Sequence, residues 1–217
     1  GHEVLLAQDL ARYGDDANRY LYRAKMAAAL EQWEQSDHLL EAYLSAPHEP
    51  KEAGEARVLL AAVRRFRGDL DGAWTALAPM SPAELVEQGE ITAAANGLLL
   101  ENRGGEALAL ADSAIAQYSN DRASEEYDES MEANARVARA DALLGLGQPE
   151  DATVELLEAA RLLENPDAHL LRRARAALAS GDRYGAMAHI RRLLQLYPSN
   201  GQYLWFYATL IEKGPDV

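Results

Sequence analysis

The chain has 217 residues, is 48% hydrophobic and 26% charged, contains no cysteine and carries a formal net charge of −14. Without cysteine there is no disulfide, thiolate zinc site or cysteine nucleophile. An acidic chain with a pI near 4.8 disfavours nucleic acid and anionic membrane as partners, because those contacts need clustered Lys and Arg, and no apolar run is long enough to cross a bilayer.

Residues 3–16 begin with an amphipathic stretch carrying Leu6, Leu10 and Tyr13 and end at Gly14, Asp15 and Asp16, which reads as a helix and a turn. Next, 17–35 is predicted as a long helix and 36–44 as its partner, with Ser36 and Asp37 suited to capping the second start. Pro47 and Pro50 place a loop over 45–52. A short helix over 72–78 is closed by Pro79. Ser81, Pro82 and Glu84 have the pattern of a capping box with proline at the first helical position, and predict a helix from Pro82 to about Glu101. A further helix covers 107–118. The acidic run 124–130 then predicts a solvated extension of the following helix plus a loop. Asp121, Glu125, Glu129 and Glu132 are spaced somewhat like calcium ligands, but Ala123 stands at a ligand place and Glu126 where the sharp turn needs glycine, so no metal is expected.

The organisation is plainest in 167–200. Leu170, Leu171, Ala174, Ala177 and Leu178 form one helical stripe, Ser180, Gly181 and Asp182 interrupt it, and Ala186, Ile190, Leu193, Leu194 and Tyr197 form a second, ended by Pro198. Two helices alone cannot bury a stripe on each, so such a hairpin needs neighbours of its own kind. The segments 133–166, 88–121, 54–87 and 17–53 align with it. In that register one column reads Ala24, Ala61, Ala95, Ala140, Ala174 and Ala208, and its partner reads Ser36, Ala73, Ala107, Ala152 and Ala186. Gly68, Asn102, Gly147 and Gly181 fall at the turn between them. Small residues at both places let the two helices approach closely. The segment 122–132 is an insertion, 3–16 and 201–217 are half units, and 3–217 is expected to be a single array, a slice of a longer protein.

In length and layout the unit resembles the tetratricopeptide repeat (TPR), a helix-turn-helix of 34 residues. Where that family favours Trp, Leu, Gly and Tyr in the first helix, 167–200 has Leu170, Arg173, Ala174 and Ala177; in the second, Ala186 and Pro198 keep the pattern and Ile190 replaces an aromatic. The resemblance implies an all-α, right-handed superhelical solenoid of stacked TPR-like hairpins whose first helices line a concave face. It implies partner-binding places on that face at Asn18, Lys25, Arg65, Asn96, Asn134, Asp141, Arg175 and Trp205. One subgroup of the family grips a terminal carboxylate with lysines and asparagines; the lysine place here holds Leu21, Val58, Thr92, Val137 and Leu171, so that clamp is absent. Arg65 and Arg175 either meet a partner's carboxylates or pair internally, for instance with Asp141 or Glu101.

Catalytic patterns are missing. Among His38, His48, His169 and His189 no two share the interval that aligns imidazoles on a helix, Gly104 and Gly105 lack the Lys and Ser/Thr of a phosphate loop, and the 35 Asp and Glu spread along outer faces. The chain is read as non-catalytic and without a cofactor. Lysine occurs only at Lys25, Lys51 and Lys213, and this bias with abundant alanine suggests a GC-rich bacterial source. The expected function is a protein–protein interaction scaffold that holds a protein partner on the concave face. A more specific version is similar to the periplasmic repeat regions of exopolysaccharide exporters, membrane-associated proteins whose soluble arrays recruit a polymer-modifying enzyme; the acidic surface would also suit a cationic polysaccharide. The alternative is a regulatory or ligand-binding domain of a larger cytoplasmic enzyme, which a ligand-sized apolar pocket among the first helices would favour.

Overall fold

A computed structural model of the chain describes residues 17–46, 50–124 and 127–212. The segment 3–16, the loop residues 47–49, Glu125 and Glu126, and residues 213–217 lie outside the described residues. Among the described residues there are twelve α-helices, one short 3-10 turn at Asp121–Ala123 and no strand. The chain divides into two compact units, Gly1–Glu90 and Ile91–Val217.

The first unit contains α1 (Ala17–Ala29), α2 (Trp33–Ser45), α3 (Pro50–Phe66), α4 (Leu70–Leu77) and α5 (Pro82–Glu87). Here α2 packs between α1 and α3, which also touch each other, and α4 folds back on α3. The second unit contains α6 (Ile91–Leu100), α7 (Gly104–Asn120), α8 (Glu129–Gly145), α9 (Pro149–Leu162), α10 (Leu170–Ala179), α11 (Arg183–Leu196) and α12 (Gly201–Glu212). In it α7, α9 and α11 each pack between the helix before and the helix after, while α6 meets α8 and α8 meets α10 side by side. Within each unit the architecture is therefore a stack of antiparallel helical hairpins.

The small-residue columns are the helix contacts. Ala24, Ala61, Ala95, Ala140 and Ala174 are fully buried, as are Ser36, Ala107, Ala152 and Ala186, with Ala73 nearly so. Larger apolar residues, among them Leu40, Leu77, Leu156 and Ile190, fill the space beside them. Ala208 departs from its column and is exposed, because no helix among the described residues follows α12 to cover it.

The turns share one device. At Gly68, Gly147 and Gly181 the backbone takes φ of 80°, 74° and 83°, and Asn102 does the same at 59°. Each closes its helix with two reversed hydrogen bonds, as when Asp182 N–H donates to Ala177 O at 2.8 Å and Gly181 N–H to Leu178 O at 3.1 Å. This Schellman arrangement satisfies carbonyls that the helix end leaves free, and favours a residue that tolerates a left-handed backbone. After Gly68 and Gly181 the next helix starts from an aspartate cap. Asp69 and Asp182 accept from Gly72 N–H and Gly185 N–H, each at 2.8 Å.

Three expectations are corrected. The helix predicted over 17–35 ends at Ala29, and its turn falls on Glu31, a left-handed residue with φ of 57°. Ser36 is thus no cap; it sits inside α2 and its hydroxyl donates to Ala24 O at 3.0 Å. The helix predicted from Pro82 to about Glu101 is two helices. Its capping box forms, with Ser81 N–H donating to Glu84 Oε2 at 2.7 Å, but Gly89 at φ of 71° lets Glu90 N–H donate to Leu85 O and close α5 early.

The insertion is also less solvated than its charge suggests. Glu132 is fully buried. Its carboxylate accepts from Arg122 Nε at 2.9 Å, Tyr127 Oη at 2.7 Å and Arg136 Nη2 at 2.9 Å. Arg136 also bonds Glu155, and Arg139 joins Glu155 to Asp112 of α7. Burial alone would raise the Glu132 pKa, but the Arg122, Tyr127 and Arg136 hydrogen bonds hold it down at about 2. Arginine and tyrosine therefore occupy the oxygens of one residue at calcium-like spacing.

Candidate binding cleft on the first-helix face

The second unit lays α6, α8 and α10 beside one another, and the residue one place after each buried alanine faces outward between them. Those residues are Asn96, Asp141 and Arg175, all lining one cleft of about 580 Å³. Leu144 and Gly145 of α8, and Arg172 and Ala179 of α10, complete its walls. The geometry follows from helical spacing: once Ala95, Ala140 and Ala174 are turned inward, the next residue lies about 100° round the helix, at the edge of the exposed face.

Asp141 is the acidic residue of this cleft, and its side chain is 14% exposed. Arg172 Nε donates to both of its oxygens, at 3.0 and 2.9 Å. Burial pushes the Asp141 carboxyl above its ordinary value, and the Arg172 ion pair and hydrogen bond, with the nearby Arg175, offset this only in part. Arg175 is exposed and has no hydrogen-bond or ion-pair partner among the described residues. The internal partners considered for Arg65 and Arg175 are thus taken: Arg172 holds Asp141, and Arg103 holds Glu101 at 2.7 Å.

The other residues assigned to this face are dispersed. Asn134 is exposed on α8, and its backbone carbonyl accepts from Thr92 Oγ1 of α6 at 3.2 Å. Lys25 and Arg65 belong to the first unit, paired with Glu55 at 3.1 Å and Glu90 at 2.6 Å. Asn18 lies in the first turn of α1, with its side chain outside the described residues. Trp205 is 70% exposed on α12, away from the cleft lining. Leu21 and Val137, two of the lysine-place residues, are buried beneath the face.

Arg172, Leu144, Gly145 and Ala179 are the cleft residues that sequence reasoning missed, and Arg172 is the charged one. Its signal was present, since Arg172 and Arg175 are three apart and so share one side of α10. Among the described residues no group of three His, Asp or Glu is placed to hold a metal, and no helix is long and apolar enough to cross a membrane.

Stacked, TPR-like helical hairpins with small-residue contacts and left-handed turns are the class of fold that this chain adopts. A crystal structure of a thermophilic TPR protein from Thermus thermophilus is similar to it, with a TM-score of 0.52 and 19% identity over 90% of this chain and 98% of that chain. No family model matches the sequence, and no curated protein matches it. The structural likeness speaks for the fold.

Proposed function

We propose that this protein is a non-catalytic interaction scaffold whose first-helix face in the second unit, centred on the cleft of Asn96, Asp141 and Arg175, holds a protein partner. The observation that carries this reading is the cleft itself. Polar side chains from three successive hairpins converge on it, and one of them, Arg175, makes no hydrogen bond or ion pair among the described residues. Its lining is mainly polar rather than the enclosed apolar surface that suits a small molecule, which favours the scaffold over a ligand-binding domain.

The test is to immobilise the protein and an Ala179→Trp variant and compare what each retains from envelope and cytosolic fractions of a GC-rich bacterium, with cross-linking to locate contacts. Ala179 lines the cleft and is exposed, so a tryptophan there fills it without entering the core. A protein cross-linked to α6, α8 or α10 and lost with Ala179→Trp supports the reading; equal retention by both forms overturns it. The finer proposal, a periplasmic repeat region serving exopolysaccharide export, rests on acidic charge and repeat pattern. It requires the partner to be a polymer-modifying enzyme of the envelope fraction, and a cytosolic partner removes it in favour of a cytoplasmic regulatory domain.

A further inference from the structure

We infer that a second cleft, at the edge of the first unit where the α1–α2 turn meets the end of α3, seats an arginine side chain of a protein partner. It goes beyond the first-helix face described above, with other residues and the opposite charge. Glu31 and Gln32 of the turn, Trp33, Glu34 and Gln35 at the start of α2, and Arg67 just after α3 line a space of about 370 Å³. Trp33 stacks on Phe66, the last residue of α3, with ring centroids 4.9 Å apart and planes 12° from parallel. Phe66 is 73% exposed and Trp33 partly so. The aromatic pair therefore lies at the surface, outside the core where it would contribute most to stability.

The charge left over in this cleft is negative. Arg67 donates to Asp37 at 2.6 Å, and Asp37 and Glu41 also hold Arg64, so these two arginines and two carboxylates balance. Glu31 and Glu34 are exposed and make no hydrogen bond or ion pair among the described residues. The partial positive charge at the start of α2 is worth about half a unit, and two carboxylates outweigh it. A cation beside an aromatic ring is attracted by its π-electrons, most strongly by tryptophan. The side-chain amides of Gln32 and Gln35, which make no hydrogen bond among the described residues, add two acceptor oxygens. A lining so rich in acceptors suits the five donors of a planar guanidinium better than the three of an ammonium. Five of its six residues come from the run 31–35, so the cleft is a point that fits one side chain and not a track for a polymer.

Glu31 is held there at a cost. Its backbone is left-handed, with φ of 57°, at the turn place where other hairpins have glycine or asparagine. A carboxylate kept where glycine would relieve strain is the pattern of a residue retained for what its side chain binds.

The experiment follows the Trp33 indole N–H of the 217-residue protein by NMR, assigned with Trp33→Phe. Acetylated and amidated Gly/Ser peptides with a single arginine, or with citrulline as its uncharged isostere, are titrated beside a glucosamine oligomer. We expect the arginine peptide to shift the resonance and the citrulline peptide to leave it still. Glu31→Gly should weaken the arginine peptide by about two- to fivefold, and Glu31→Gly with Glu34→Gln by about tenfold, the range of exposed ion pairs. Since Glu31→Gly also relieves strain, its weaker binding should come with a raised melting temperature, so unfolding cannot account for it. Glu150→Gln removes the same charge from an exposed place on α9 and should change affinity little.

No shift with millimolar arginine peptide, an equal shift with citrulline, an unaffected double variant, or an equal loss in Glu150→Gln would each overturn the assignment. A glucosamine oligomer that shifts Trp33 where the arginine peptide does not would overturn it too, in favour of a cationic sugar. Ala179→Trp, in the other unit, should leave arginine binding unchanged, so this seat and the first-helix reading stand or fall separately.

Discussion

The hydroxyl of Ser36 donates to the carbonyl of Ala24 at 3.0 Å, with both residues fully buried between α1 and α2. It joins the two small-residue columns directly, at the one place where the second column holds a polar residue. The backbones approach closely enough there for a side chain of one helix to bond the main chain of the other, which leaves no room for a longer residue.

Overpacking the column should therefore be costly. Ala140→Leu or Ala174→Leu is expected to destabilise by about 1–3 kcal/mol, and Ser36→Ala, which loses one hydrogen bond but keeps the spacing, by about 1 kcal/mol. Ala208→Leu, on the exposed member, should be close to neutral. Urea unfolding of the four variants measures this, and an unchanged midpoint for Ala140→Leu would falsify the helix-contact assignment.

Glu31 holds the turn place that glycine or asparagine holds in the other hairpins, at φ of 57°. A residue with a Cβ is strained there by about 1 kcal/mol, so Glu31→Gly should raise the melting temperature. Gly147→Ala should lower it by a similar amount through backbone strain, since an added Cβ meets nothing within 4 Å. Opposite signs are the diagnostic result.

Gly185 is constrained differently. A Cβ there would lie 2.1 Å from Asp182 Oδ2, so Gly185→Ala displaces the carboxylate that caps α11. The expected loss is about 0.5–2 kcal/mol, most of it absent when Asp182 is already alanine. A double-mutant cycle measures the coupling; simple additivity would mean that the cap survives.

Glu132 sets an acid limit. Its folded pKa of about 2 lies below its ordinary value of 4.5, so the folded state binds this proton less readily than the unfolded chain. Its stabilisation is complete above pH 4.5 and is lost as pH falls towards 2. His169 and His189, held below 6.5 mainly by burial, add a loss of the same sign below pH 6.5. Asp141, raised by burial, acts the opposite way: its contribution is larger when protonated and declines as pH rises through its raised pKa. Glu132→Gln should cost about 3 kcal/mol at pH 7 by taking the carboxylate from Arg122 and one of two from Arg136, which keeps Glu155, and should flatten the fall in unfolding midpoint between pH 4.5 and 2. An identical slope in both proteins would remove Glu132 from the acid transition.

The stacking of hairpins was legible in the chain because it depends on size at fixed intervals. A helix contact admits alanine or serine and little else, so Ala24 to Ala174 and Ser36 to Ala186 mark their own positions. The turns were legible for a related reason, since a left-handed residue favours glycine or asparagine. Glu31 breaks that preference but keeps the place, five residues before Ser36 as Gly181 is five before Ala186, and the column spacing alone could have located it. Gly89 escapes such a reading because a capping box announces where a helix starts and carries no information on where it ends.

Which charges meet depends on how the hairpins pack. Asp141 has both Arg172 and Arg175 near it once α8 and α10 lie side by side, and only that lateral spacing gives its hydrogen bonds to Arg172. Likewise the acidic insertion reads as solvated until the fold buries Glu132 under Arg122, Tyr127 and Arg136. The repeat and its small-residue seams needed nothing beyond the chain, because local periodicity and side-chain volume set them. Ion-pair partners, burial of charge and the open cleft arise from distances between residues far apart in the chain, which only the packed structure specifies.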